Sequence, residues 1–126
     1  MAQTRFESIM PEMPVRNLSA AVEFYTGVLG FRLEHLHSDE YAVMRRDAVR
    51  IGLMRATPEW PPGIGRMYAF VSTGIEELYA TASHAAAPMG GRITEPLAPR
   101  PYGLKDFTLL DPDGNRLAFG FQLTVA

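Results

Sequence analysis

The chain has no cysteine among its 126 residues. That excludes a disulfide framework and thiolate chemistry, and it fits a reducing, cytoplasmic address. No apolar run approaches the roughly 18 residues a membrane span needs, and the opening MAQTRFES lacks the charged-then-apolar order of a secretory leader. Charge of one sign is also missing. Twelve basic and fourteen acidic residues are interspersed, for a net charge of -2. Without a basic patch or tail, nucleic acid is not an expected partner. Histidine is scarce, with three in all, and there is one tryptophan.

Punctuation, by contrast, is plentiful. Ten prolines and eleven glycines point to many turns rather than a helical bundle. SIMPEMPVR (8–16) reads as an edge strand, because Pro11 and Pro14 cannot donate to a ladder. Asn17 or Ser19 can cap a helix whose apolar positions Val22, Tyr25, Val28 and Leu29 recur at helical spacing, and Gly30 ends it. Strands follow near 31–37, 41–46 and 49–54, and RATPEWPPGIG (55–65) is a connector. The order then restarts with a strand, MYAFV (67–71). Thr73 and Glu76 have capping-box spacing for a helix over 74–87, and strands follow near 92–97, 104–110 and 116–122. MRRDAVRIGL (44–53) and LDPDGNRLAF (110–119), 66 residues apart, echo one another weakly. The pattern is strand–helix–three strands, twice. Asp111-Pro112-Asp113-Gly114 fits a type I turn closing a hairpin; a Ca²⁺ loop would need later oxygen ligands that 115–122 lack.

Two stretches carry a family resemblance. MPVRNLSAAVEFYTGVLGFRL (13–33), with its Phe24-Tyr25 pair and Leu29-Gly30-Phe31 end, resembles the first strand–helix–strand of the vicinal oxygen chelate superfamily. That group includes glyoxalase I, extradiol dioxygenases, fosfomycin-resistance enzymes and bleomycin-resistance proteins. PYGLKDFTLLDPDGNRLAFGF (101–121) resembles its last hairpin. The resemblance implies an α+β fold of one domain over 1–126, with two βαβββ modules at about 1–55 and 66–126 joined by a connector at 56–65. Their curved mixed sheets form a cleft, and homodimers are common. A homodimer is also expected physically, since each open sheet leaves one face uncovered by its own helix.

Metal-using members take ligands from the first and last strand of each module. By count and by the repeat offset, those positions here are Met10, Gly52, Met67 and Ala118. None offers a donor for a hard cation. A register error of two reaches Glu12, a single carboxylate. His35 and His37 share a strand face, but the repeat places no carboxylate with them. The expectation is therefore a protein without metal, cofactor or catalytic residues. It would resemble bleomycin-resistance proteins and sequester an aromatic or cationic small molecule, such as an antibiotic, in an apolar cleft. A metal-dependent lyase, isomerase or dioxygenase with an atypical site is the alternative, and a non-binding structural dimer a third. Strand alternation puts Met10, Glu12, Met44, Met67, Asp106, Thr108 and Ala118 on the cleft face, with Trp60 and Tyr102 at its rim. Glu12 and Asp106 would either await a cationic ligand group or pair internally with Arg16 or Arg116.

Overall fold

A computed structural model describes residues 2–123. The chain runs β1 (Glu12–Val15), α1 (Leu18–Leu29), β2 (Arg32–His37), β3 (Tyr41–Arg46) and β4 (Val49–Arg55). After the connector come β5 (Arg66–Phe70), α2 (Ile75–Ala85), β6 (Arg92–Pro99), β7 (Leu104–Leu110) and β8 (Arg116–Gln122). One sheet has the order β1-β4-β3-β2 and the other β5-β8-β7-β6. In each, the first strand pairs in parallel with the last and the remaining pairs are antiparallel. This is the α+β arrangement of two βαβββ modules that the sequence pattern predicts. Among the described residues no helix is long and apolar enough to cross a membrane.

Alternation decides what each strand buries. Met13 and Val15 of β1, Ala42 and Met44 of β3, and Ile51 and Leu53 of β4 face α1. Phe107 and Leu109 of β7 and Leu117 and Phe119 of β8 are buried core residues of the second sheet, where Tyr79 of α2 packs on Phe107. The two helices pack on each other, so one core runs through both modules. Phe24 of α1 reaches across to Gly91, where an added Cβ would sit 2.6 Å from its ring; only glycine allows that approach. On the sheet faces opposite the helices, Tyr41 covers Gly52 in the first sheet and Tyr68 covers Gly120 in the second.

Two details differ from expectation. β1 is four residues long rather than nine, because Pro11 ends the ladder on its N-terminal side, although its carbonyl still accepts from Gly52 N–H at 2.9 Å. The Thr73–Glu76 capping box does not form. Gly74, at φ 80°, occupies the cap position without a side-chain hydrogen bond, which shifts Thr73 out of the helix, and Glu76 pairs instead with Lys105 at 3.1 Å. In α1 the cap is Asn17, whose side chain accepts from Ala20 N–H at 3.0 Å, and Gly30 closes the helix at φ 71°.

Candidate functional site

The Asp-Pro-Asp-Gly turn is a fastening between modules. Gly114 N–H donates to the Asp111 carbonyl at 3.0 Å, with Gly114 at φ 92°. One Asp111 carboxylate oxygen accepts the backbone N–H groups of Asp113 and Asn115, both at 2.9 Å. The other accepts the Tyr25 hydroxyl of α1 at 2.8 Å and the Asn115 amide at 2.9 Å. Fully buried Asn115 also donates to the Pro14 carbonyl of β1 and accepts from Gly65 N–H, each at 2.8 Å. Burial pushes the Asp111 carboxyl above its ordinary range despite the hydrogen bonds from Asn115 and Tyr25, and burial beside Asp111 pushes the Tyr25 phenol well up. With its oxygens committed to protein donors, Asp111 leaves the turn no free ligand set.

The sheet faces turned away from the helices carry two tyrosine–acid pairs. In the first sheet, Tyr41 donates its hydroxyl to Glu12 at 2.6 Å and lies over Gly52, where any Cβ would strike its phenol oxygen. In the second, Tyr68 lies over Gly120 in the same manner and donates to Asp106 at 2.9 Å. Asp106 is only 2% exposed. It also accepts the Tyr102 hydroxyl at 2.6 Å and Arg100 Nε at 2.7 Å. Burial alone would raise its carboxyl, but hydrogen bonds from Tyr102, Arg100 and Tyr68 outweigh that and hold it below the usual range.

The expected site residues separate into groups. Glu12 and Trp60 come together. With Pro14, Met54, Ile64, Gly65 and Arg66 they line a groove of about 520 Å³ where β1 and β4 meet the connector. Trp60 is 56% exposed, presented by a turn in which Thr57 and Trp60 exchange backbone hydrogen bonds at 3.1 Å. Asp106, Thr108 and Ala118 share the face of the second sheet that turns away from its helix, where all three are buried, with Tyr102 beside Asp106. Thr108 donates to Glu95 at 3.2 Å.

Three placements are corrected. Met44, with Ala42, is fully buried against α1, not on the open face. Met67 and Ala69 likewise turn to the core, leaving Tyr68 and Phe70 outward. Met10 precedes β1 rather than lying within it. In MYAFV every residue is apolar, so alternation lacks a polar marker, and a slip of one residue exchanges the faces. The internal partner of Asp106 is also corrected: it is Arg100. Arg16 pairs with Asp113 at 3.1 Å and Arg116 lies 3.8 Å from Glu95. Tyr41, Tyr68, Arg100 and Arg66 were not singled out in sequence. The tyrosine stacked over a glycine is a cross-strand relation, legible only once strand neighbours are known.

A divalent metal does not fit the residues present. Gly52 and Ala118 face outward without donors, Met67 faces inward, and the space above Gly52 is filled by the Tyr41 phenol. Among the described residues no group of three or more His, Asp or Glu could hold a metal ion.

The two-module fold has known counterparts. Residues 5–119 match the Glyoxalase/Bleomycin resistance protein/Dioxygenase superfamily, and the chain belongs to that family. A bleomycin resistance protein of Geobacillus stearothermophilus is 32% identical, over 90% of this chain and 96% of its own. Among solved structures, the bleomycin-binding protein of Streptomyces verticillus, complexed with copper(II)-bleomycin, superposes with a TM-score of 0.77 at 23% identity, covering 93% of this chain and 97% of that one. An antibiotic binding protein from a Streptomyces species gives 0.74 at 20% identity, covering 97% and 98%. These likenesses establish the fold.

Proposed function

We propose that this chain is a metal-free, cytoplasmic small-molecule-binding protein that sequesters an aromatic, cationic ligand such as an antibiotic. The names of its relatives support a binding role. The observation that carries the reading is the groove beside Trp60. There the Glu12 carboxylate has the Tyr41 hydroxyl as a partner but, among the described residues, no cation within 4.0 Å. An exposed indole beside an uncompensated carboxylate suits a flat cation: the ring stacks and the charge pairs. Asp106 is not part of this attraction, because Arg100 already neutralises it. Tyr102, 62% exposed, is proposed to extend the binding surface on the second sheet, with the buried Thr108 and Ala118 beneath that face.

The test is isothermal titration with bleomycin and with an aromatic ammonium ion beside its neutral alcohol analogue. The cation is expected to bind about tenfold better than the alcohol, with a change in Trp60 emission, and Glu12→Gln is expected to remove that preference. Equal binding of cation and alcohol, unaltered by Glu12→Gln, overturns the reading.

A further inference from the structure

We infer that the same groove is built for a molecule carrying both a cation and an anion on a flat apolar body, with Arg66 holding the anionic group. The inference rests on the binding reading above and narrows its ligand class. Arg66 opens β5, and its backbone pairs in parallel register with Arg116 of β8, so the two arginines are neighbours on one sheet face. Arg116 is compensated, lying 3.8 Å from Glu95. Arg66 is not: among the described residues no carboxylate comes within 4.0 Å of it. The groove thus has an uncompensated carboxylate and an uncompensated guanidinium in its walls.

The Glu12 carboxylate and the backbone leading into Arg66 are held in place. The buried Asn115 side chain accepts the N–H of Gly65, the residue before Arg66, at 2.8 Å, and no Cβ could be added at Gly65 without striking Met13 and Asn115. Glu12 is held by Tyr41. Met54 and Trp60 line the same groove and offer a polarisable, aromatic surface for an arene. A purely cationic ligand satisfies Glu12 but is repelled by Arg66, and a purely anionic one meets the reverse. An amphoteric ligand gains at both ends, its ammonium donating to Glu12 and its carboxylate accepting the forked N–H pair of Arg66.

Three probes with one arene separate the contributions: naphthylalanine (zwitterion), naphthylethylamine (cation) and naphthylpropionate (anion), titrated calorimetrically at neutral pH. Trp60 is the sole tryptophan, so its single indole N–H resonance locates binding. The zwitterion is expected to bind roughly tenfold tighter than either relative. Arg66→Gln should reduce it to the level of the cation without weakening the cation itself, and Glu12→Gln should reduce it to the level of the anion. Both side chains are exposed, and an unchanged urea midpoint verifies that the variants fold. If the cation shifts the Trp60 resonance but the zwitterion binds no better, or if Arg66→Gln leaves its advantage intact, this inference falls while the binding reading stands. If none of the three shifts that resonance, both fall.

Discussion

Asp106 sets the acid response of the second sheet. Three donors converge on one nearly buried carboxylate, and their hydrogen bonds hold it below the ordinary value near 4. A depressed folded-state value means that Asp106 contributes stability above the unfolded carboxylate range. That contribution is lost as pH falls through the folded value. Asp106→Asn should therefore cost about 2 kcal/mol at neutral pH, where the charged hydrogen bonds are replaced by weaker ones. It should also flatten the acid limb of a urea-midpoint-against-pH curve relative to the unaltered protein. Parallel curves for the two proteins would show that Asp106 carries no net linkage. The arginine that makes this pairing, Arg100, sits six positions upstream across the β6–β7 turn. Sequence alternation placed Asp106 on its face but could not choose among arginines, because pairing across a turn depends on where the loop folds back.

Among the elements, the last hairpin shows what a motif discloses and what it withholds. Asp-Pro-Asp-Gly was legible as a turn from local chemistry alone: proline presets one φ and glycine takes the positive one. Its tie to Tyr25, 86 positions away, was not legible, because Tyr25 reads simply as an apolar position of α1. Tyr25→Phe removes one buried donor and should cost about 1–2 kcal/mol, whereas Asp111→Ala strands the Tyr25 hydroxyl, the Asn115 amide and two backbone N–H groups and should cost about 3 kcal/mol or more. In a double-mutant cycle the two losses should fall short of additivity by at least about 0.5 kcal/mol, since they share a partner; strict additivity in urea melts would sever the proposed tie. Helix caps give a sharper contrast. Asn17 makes its cap bond and Thr73 makes none. Asn17→Ala should cost about 1 kcal/mol and Thr73→Ala less than about 0.5 kcal/mol. The spacing Thr-x-x-Glu is present at 73–76, but Gly74 reaches a positive φ that no other residue takes as easily, and it claims the cap position first.

For the whole molecule, the repeat was readable because each module must bury one sheet face under one helix, and that demand writes the same order of strands and helix twice. Which face of β5 turns inward was not readable, and that face has a consequence for assembly. With Met67 and Ala69 turned in, Phe70 stands outward at 71% exposure, and Phe6 and Ile9 ahead of β1 are 92% and 91% exposed. Leu36, on the edge strand β2 of the other sheet, is 51% exposed. Scattered single apolar residues need no partner, but large side chains beside open sheet faces and unpaired strand edges favour association. The chain should therefore form a homodimer, related by a two-fold axis that presents the same surface from each copy. Light scattering at micromolar concentration should give twice the 14.0 kDa of one chain. Phe70→Asp places a charge in that surface while removing no core contact, and it should shift the equilibrium toward the single-chain mass without lowering the urea midpoint of the monomer. A protein that scatters as one chain throughout a dilution series, with Phe70→Asp indistinguishable from it, would leave those exposed side chains without an assembly role.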